Sequence, residues 1–265
     1  DSSTGSSPVV LSSIIDKKGF EPIRQFTGEL DGQNYTIEGL SINRVDENNV
    51  GLISTSQGEI KNIKLNNINI KGNDHVGGLV GLNSNGMKII NSSTSGKIVG
   101  TDNIGGLVGL NHNHAEIHKS YSKVNIKGDT NIGGIIGKNN NHAEIYSVYS
   151  LGSLIGDNNI GGIIGKNKKH GHIYTSYAAG NITGNDNVGG IVGNKNGYVT
   201  NSYWDVNSTG QKEQKSEIGI GLTTEDMKGK KPLPKEKGGN NTMNGFNFDS
   251  VWKSVDSDYP ILRGQ

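Results

Sequence analysis

The chain contains one segment with the residue types of a zinc-peptidase site, His114-Ala-Glu-Ile-His118. The peptidase signature His-Glu-x-x-His requires a helix, which brings both histidines to one metal ion. Here Glu116 stands one place late, and residues four apart on a strand are separated by about 13 Å, too far to share a zinc ion. Ala-Glu-Ile also returns at residues 143–145, so repetition explains the segment. We therefore predict no catalytic residue in it.

Three histidines recur at one interval and form a weak candidate for a metal site: His114, His142 and His170. His112 and His172 stand two residues away from members of this set. If equivalent residues of successive repeats stack, their imidazoles lie about 5 Å apart and could capture a metal ion. The alternative is a solvated ladder in a surface loop. The sequence predicts no resident metal and no cofactor.

Tyrosines recur in the same way and are the candidate ligand-binding residues: Tyr121, Tyr149 and Tyr177, with Tyr146 and Tyr174 nearby. Facing outward, such a column is a flat platform for sugar rings or for a protein partner. Facing inward, it is ordinary core stacking, because cross-strand aromatic pairs stabilise sheets by themselves. The sequence leaves both alternatives open.

One aspartate per repeat stands near the glycines, at Asp74, Asp102, Asp129, Asp157 and Asp186. Such a series offers the oxygen ligands that calcium takes. Its position shifts by one residue between copies, which favours a role in turns. The sequence shows neither the clustered carboxylates of a glycosidase nor a Ser/His/Asp set, so enzymatic activity is not predicted.

A repeat of 28 residues underlies all of these columns. The string Val-Gly-Gly-Leu-Val-Gly begins at residue 76 and returns with conservative changes at residues 104, 132, 160 and 188. Within the second full repeat, three runs have strand character: Ile104 to Leu110, Ala115 to Ser122 and Val124 to Lys127. Turn-forming or polar residues separate them. Short strands at a constant period indicate a coil with about three faces.

Stacked coils place each strand beside its own copy, in parallel sheets with strands about 4.8 Å apart. The predicted fold is therefore all-β, a parallel β-helix (β-solenoid) with 28-residue coils and N- and C-terminal caps; a propeller blade would need about 40–50 residues. Strict alternation would expose one of the adjacent columns of Leu107 and Val108. Either a bulge turns both columns inward, or a flanking segment covers the exposed one, and we favour cover by the termini. A further column is predicted to bond from coil to coil inside the stack: Asn83, Asn111, Asn139 and Asn167.

Composition fits a narrow core shared between coils. The 265 residues include 41 glycines and only 31% hydrophobic residues, which is low for a round core. A net charge of +1 without a basic stripe argues against nucleic acid as a partner. The absence of cysteine excludes disulfides and thiolate metal sites. No apolar run approaches the roughly 20 residues that span a bilayer, so this segment is not expected to insert into a membrane.

The repeat divides the chain into three predicted regions: an N-terminal leader and cap (1–57), the β-solenoid repeats (58–205), and a loop with a C-terminal cap (206–265). Caps are expected because open solenoid ends are exposed sheet edges. The first seven residues are small and polar, as in a linker. Residues 246–262 regain aromatic side chains and are predicted to fold back as the C-terminal cap.

These residues resemble the GLUG-motif repeat family, whose Gly-Leu-hydrophobic-Gly core stands here as Gly78-Leu79-Val80-Gly81. Four copies follow, and three of the five cores carry Ile in place of Leu. Flanking segments are also similar to the family: Phe-Thr-Gly-Glu-Leu-Asp-Gly at 26–32, Asn-Ser-Tyr-Trp-Asp at 201–205, Gly-Leu-Thr-Thr-Glu-Asp-Met at 221–227 and Tyr-Pro-Ile-Leu-Arg at 259–263. The likeness covers roughly residues 20–264.

The resemblance implies a right-handed parallel β-helix in large exported microbial proteins: adhesins, two-partner-secreted filaments and non-catalytic parts of metallopeptidases that cleave immunoglobulin A. We therefore expect a secreted or cell-surface module without enzymatic activity, with a role in adhesion and virulence. It would act as a stalk or as a binding surface for a host protein or glycan, beside other domains of a larger parent protein. The alternative is a carbohydrate-active β-helix enzyme, a polysaccharide lyase or hydrolase.

Overall fold

The computed structural model describes residues 9–10, 18–168, 170–212, 215–216 and 218–265, with the backbone alone for 9–10 and 215–216. The predicted linker at residues 1–7 lies outside them. The chain winds into a parallel β-solenoid of about six turns with roughly 28-residue spacing, which confirms the predicted fold. Residues pair in register with their copies one turn later, as Val80 does with Val108 and Ile117 with Ile145.

Each complete coil passes through four sheets rather than the three runs that the sequence indicated. The run from Ile104 to Leu110 divides into the strands Asp102–Gly105 and Val108–Asn111. The run from Ala115 to Ser122 breaks at Lys119, whose φ of 44° is left-handed. Alternation of side chains therefore restarts at each corner, and a solenoid with four faces results.

We number the four sheets in the order in which a coil passes through them. Sheet 1 has five strands: Asp74–Gly77, Asp102–Gly105, Thr130–Gly133, Asn158–Gly161 and Asp186–Gly189. Sheet 2 has seven: Ile23–Phe26, Ile53–Ser56, Val80–Asn83, Val108–Asn111, Ile136–Asn139, Ile164–Asn167 and Val192–Lys195. Sheet 3 has seven: Glu29–Asp31, Glu59–Lys61, Lys88–Ile90, Glu116–His118, Glu144–Tyr146, His172–Tyr174 and Tyr198–Thr200. Sheet 4 has thirteen: Val9–Val10, Thr36–Glu38, Ser41–Asn43, Lys64–Lys71, Ser93–Val99, Tyr121–Lys127, Tyr149–Ser150, Leu154–Ile155, Tyr177–Ala178, Ile182–Thr183, Tyr203–Asp205, Lys215–Ser216 and Gly219–Leu222.

Two adjacent apolar columns at the corner between sheets 1 and 2 both point into the coil. Leu107 and Val108 are fully buried in the same apolar cluster as Ile104. The corner between the two strands turns both side chains inward, which a single continuous strand would not do. The expected cover of one column by the termini is therefore wrong, because both columns are buried inside the coil.

The asparagine column is buried and bonded as predicted. Asn83 Nδ2 donates to Asn111 Oδ1 over 2.6 Å, and bonds of 3.0 Å join Asn111 to Asn139 and Asn139 to Asn167. Asn111 Nδ2 also donates to the carbonyl oxygen of Ala115 at 3.2 Å. The ladder therefore satisfies turn backbone that lies in the interior, away from water.

Parallel stacking continues beyond both predicted limits of the repeats. Upstream, the strands Ile23–Phe26 and Glu29–Asp31 pair in parallel with the next coil. Downstream, Gly219–Leu222 pairs in parallel with Tyr203–Asp205 and extends sheet 4 by one strand. The domain boundaries at 57/58 and 205/206 remain predictions.

The described part of residues 206–265, which we call the C-terminal segment, folds back along the outer side of sheet 4. The segment contains short helices at Val206–Thr209 and Thr224–Met227, a 3-10 helix at Lys235–Lys237, and an antiparallel hairpin of Trp252–Val255 and Asp258–Leu262. Its buried apolar side chains form a second core cluster against sheet 4: Met227, Met243, Phe246, Phe248, Trp252 and Leu262. Across the described ranges, no helix has the length and apolar character needed to cross a bilayer.

Asp205 joins the last coil to the C-terminal segment. Its buried carboxylate accepts hydrogen bonds from the backbone N–H groups of Asn207 and Ser208 at 2.8 and 3.1 Å, where a helix begins. It also accepts from Thr224 Oγ1 at 2.7 Å and from the Tyr259 hydroxyl. Burial alone would raise the pKa of Asp205, but these hydrogen bonds outweigh it and hold the pKa below its usual value.

Candidate ligand-binding face

The outer face of sheet 3 carries aromatic and charged side chains in two columns. Over the repeats each of its strands is three residues long, and the middle residue, such as Ile117, Ile145 or Ile173, is fully buried in the coil. Because side chains alternate across a strand, the residues before and after the isoleucine point outward. The sheet therefore displays one column from the first strand position and a second from the third.

His118, Tyr146 and Tyr174 form the column at the third position, which we call the aromatic ladder. Neighbouring ring centroids lie 4.8 Å apart in both pairs, with interplanar angles of 9° and 4°. A centroid spacing of 4.8 Å matches the distance between neighbouring strands, so each ring stacks on the ring one coil away. All three residues are partly exposed.

Glu116 stands beside the ladder in the column at the first position. Its Oε2 atom lies 2.7 Å from His118 Nε2 and 3.2 Å from Lys88 Nζ. Partial burial would raise the pKa of Glu116, but the hydrogen bonds with His118 and Lys88 outweigh it and lower the pKa. The carboxylate is therefore held ionised next to the first ring of the ladder.

The same pairing recurs in the next two coils with other residue types. The Tyr146 hydroxyl donates to Glu144 Oε2, and His172 Nδ1 lies 2.6 Å from the Tyr174 hydroxyl oxygen. Burial, together with the bond to Glu144, raises the pKa of Tyr146 above its ordinary value. Each coil thus fixes one ladder ring by a partner two residues earlier, which sets the rings in a rigid row. Tyr198, 56% exposed, lies one coil further, with its ring centroid 4.6 Å from that of His172.

The second tyrosine column points away from the coil interior but is covered. Tyr121, Tyr149 and Tyr177 stack with centroid spacings of 4.8 and 5.1 Å. Tyr149 and Tyr177 are buried in the second core cluster, with Trp252 packed at 6.2 and 5.7 Å from their centroids. A ligand reaches these two rings only if the C-terminal segment moves away. Ligand binding by this column remains a prediction.

The histidine column stacks at the turn between sheets 2 and 3. Ring centroids of His114 and His142 lie 5.1 Å apart and those of His142 and His170 4.5 Å apart, and all three residues are exposed. Over the described ranges, no set of three or more His, Asp or Glu side chains is arranged to hold a metal ion. His118, the other histidine of the peptidase-like segment, belongs to sheet 3 and bonds Glu116 instead. The column stays a weak candidate for a metal site, and the absence of a resident metal stays a prediction.

Two members of the aspartate series act as hydrogen-bond acceptors at or directly before the start of a sheet 1 strand. Asp74 Oδ1 accepts from the backbone N–H of His75 at 2.7 Å and from Asn103 Nδ2 at 2.6 Å. Asp157 Oδ1 accepts from Asn185 Nδ2 at 3.0 Å. These bonds fit the predicted role of the aspartates in turn structure.

A group of lysines on sheet 2 and directly after it was missed from the sequence: Lys138 and Lys166 in the strands, and Lys168 after the strand Ile164–Asn167. Lys138 and Lys166 are register partners on neighbouring strands. Their shared place in the repeat was a usable signal. It was overlooked because the equivalent positions in earlier coils, Leu82 and Leu110, are apolar.

The protein is a parallel β-solenoid with a C-terminal segment packed along its side and an aromatic ladder on the outer face of sheet 3. No family model matches the chain, so the likeness to GLUG-motif repeats stays a resemblance. The chain is similar in fold to a Bacteroides ovatus protein of known crystal structure, proposed to be an immunoglobulin A1 protease. The TM-score is 0.67 at 21% sequence identity, over 88% of this chain and 76% of the other.

A segment of the chain is also similar to Halomucin of Haloquadratum walsbyi. The two are 42% identical over 80 residues, which is 29% of this chain. The chain matches only 1% of the length of Halomucin. The likeness is therefore that of one local segment within a very long protein.

Proposed function

We propose that this chain is a non-catalytic module of a secreted or surface-anchored microbial protein, and that it binds a glycan on the outer face of sheet 3. The aromatic ladder of His118, Tyr146 and Tyr174, at a fixed spacing of 4.8 Å, carries the proposal. A sugar presents an apolar face that packs on aromatic rings, and hydroxyl groups that donate to carboxylates such as Glu116. A few polar groups among aromatic contacts are what ligand recognition requires.

The extracellular location rests on the resemblance to exported GLUG-motif repeats. The local likeness to Halomucin and the fold shared with the proposed immunoglobulin A1 protease support it. Because the chain matches only 1% of Halomucin, no activity of that protein is transferred. A surface module of this kind, beside other domains of a parent protein, serves as a stalk or in adhesion.

The carboxylates of sheet 3 do not favour the alternative of a carbohydrate-active enzyme. A glycosidase needs one carboxyl group that stays protonated because its pKa is raised. The pKa of Glu116 is lowered instead. Its hydrogen bonds to Lys88 and His118 suit a fixed acceptor for ligand hydroxyl groups.

A glycan array probed with the full chain tests the proposal, followed by calorimetry on the best glycan. The double variant Tyr146→Ser/Tyr174→Ser is expected to lose about tenfold in affinity, and Tyr35→Ser, an exposed tyrosine elsewhere, is expected to bind normally. Reducing ends are assayed in parallel. Their release would establish the enzyme instead, binding of a protein alone would replace the glycan by a protein ligand, and binding of neither would reject the proposed function.

A further inference from the structure

An open depression lies on the outer side of sheet 2, next to the turn that leads into sheet 3. Its volume is about 630 Å³, and its lining is polar: Asn140, Asn141, Lys166, Lys168 and Asn196. Lys138 stands beside it as the register partner of Lys166, about 4.8 Å away along the stack. The depression thus combines ammonium groups with amide N–H donors, and none of its described lining residues is acidic.

The positive charge at this place is not balanced by ion pairs. None of the salt bridges within the described ranges involves Lys138, Lys166 or Lys168. Burial lowers the pKa of Lys138, and the charges of Lys168 and Lys166 lower it further, with Asp74 opposing. The pKa of His112 is lowered by burial and then by Lys138 and Lys168. Two groups of different type therefore experience the same excess of positive charge, which a bound anion would relieve.

We propose that this depression binds the carboxylate or sulfate groups of an acidic glycan. The proposal rests on the proposed function and names the class of glycan. Ammonium and amide N–H groups are the donors that such oxyanions take. Only the turn after Asn167 separates the strand Ile164–Asn167 of the depression from the strand His172–Tyr174 of the ladder face. One polysaccharide chain can therefore place its acidic groups against the lysines and its sugar rings against the aromatic ladder.

Calorimetry with heparin, polygalacturonate and neutral dextran tests the proposal and separates sulfate from carboxylate. The wild-type chain is expected to bind at least one of the two polyanions, about tenfold more weakly at about 200 mM than at about 50 mM salt, and more tightly than dextran. The triple variant Lys138→Gln/Lys166→Gln/Lys168→Gln is expected to lose about tenfold in affinity at low salt. The matched control removes three exposed lysines from sheet 4, Lys71→Gln/Lys97→Gln/Lys127→Gln, and is expected to bind as the wild type does.

Equal losses in the two triple variants, or dextran binding as tight as that of both polyanions, would overturn the proposal. Polyanion binding that is lost in Tyr146→Ser/Tyr174→Ser but kept in the sheet 2 variant would reject the lysine site and leave the proposed function standing. The reverse pattern would reject the ladder as the glycan site and keep the lysine site. Equal affinity for a single-stranded oligonucleotide would show general polyanion binding and would also reject an acidic-glycan site.

Discussion

The hydroxyl group of Tyr177 donates a hydrogen bond of 2.7 Å to the carbonyl oxygen of Pro260, 83 residues further along the chain. Tyr149 donates in the same way to Gln265 Oε1 at 2.8 Å, and Tyr203 to the carbonyl oxygen of Asn244 at 2.6 Å. The repeated tyrosine column of Tyr149, Tyr177 and Tyr203, which we call the tyrosine strip, therefore binds the C-terminal segment, which is not itself part of the repeat.

The stability of the chain at alkaline pH should test the burial of the tyrosine strip. Burial raises the pKa of Tyr177 well above its ordinary value and raises that of Tyr203 to about 12. Unfolded tyrosines ionise near pH 10, so the stabilisation is complete below about pH 10 and is lost as the pH rises toward the folded values. We expect the free energy of unfolding, measured in urea, to fall from about pH 10 to 12. Tyr177→Phe should flatten this fall and cost about 1 kcal/mol at neutral pH; an unchanged slope would contradict the burial of Tyr177.

The junction at Asp205 should make the C-terminal segment sensitive to acid. The pKa of Asp205 is lowered in the folded chain, so its stabilisation is present above the unfolded value and is lost as the pH falls through the folded one. Asp205→Asn is expected to destabilise the chain by about 1–3 kcal/mol at neutral pH and to weaken the acid dependence. Asp249→Asn, at an exposed aspartate, is the control. Equal effects of the two substitutions on thermal unfolding would argue against the junction.

Asn139 should be sensitive to substitution, because its side chain makes three hydrogen bonds in the coil interior. Asn139→Ala removes the donor to Asn167 and to the carbonyl oxygen of Ala143, and the acceptor for Asn111. We expect a loss of about 2–3 kcal/mol in unfolding free energy, because three hydrogen bonds between buried groups are lost and Asn167 Oδ1 loses its donor. Asn69→Ala, on the exposed side of sheet 4, should change it by less than about 0.5 kcal/mol.

Gly109 marks the place where sheets 1 and 2 approach too closely for a side chain. An added Cβ would lie 2.4 Å from the carbonyl carbon of His75 and 2.6 Å from the backbone nitrogen of Val76. Gly109→Ala is therefore expected to cost about 3 kcal/mol. At Gly28 the nearest atom to an added Cβ is 3.9 Å away, on the flexible ring of Phe26, so Gly28→Ala should leave the melting temperature nearly unchanged. A tolerated substitution at Gly109 would rule out the close approach.

Zinc should not bind the histidine column in its stacked form. A zinc site takes several ligand atoms at about 2.1 Å from the ion, whereas within the described ranges no set of three or more His, Asp or Glu side chains is arranged to hold a metal ion. We expect saturating zinc to leave the melting temperature unchanged. A rise that disappears in His142→Ala would establish the metal site after all.

The coil register was predictable because in-register stacking makes each buried position visible as a column. Asn111 and Ile117 return after one period in the sequence and pair with their copies in the structure. The corners were harder to predict. Lys119 turns the chain with φ 44°, although lysine is not a residue type that signals a left-handed turn.

The exposure of the tyrosine columns was not predictable from the repeat. Tyr146 and Tyr149 stand three residues apart in one coil, yet the first is partly exposed and the second is 1% exposed. The difference comes from Trp252 and its neighbours in the C-terminal segment, which have no place in the repeat. The repeat in the sequence predicts which residues stack on one another. It does not predict which of them are buried by a distant segment that lies outside the repeat.

The path of the C-terminal segment has a mechanical consequence. The segment leaves the last coil at Asp205, and its final residues Arg263, Gly264 and Gln265 line a depression together with Asn34 and Asn62 near the opposite end. The C-terminal segment therefore runs along the stack and is hydrogen-bonded to several coils. A force that pulls the coils apart must first break the contacts between the C-terminal segment and the tyrosine strip. The coils should therefore unfold together and not one after another.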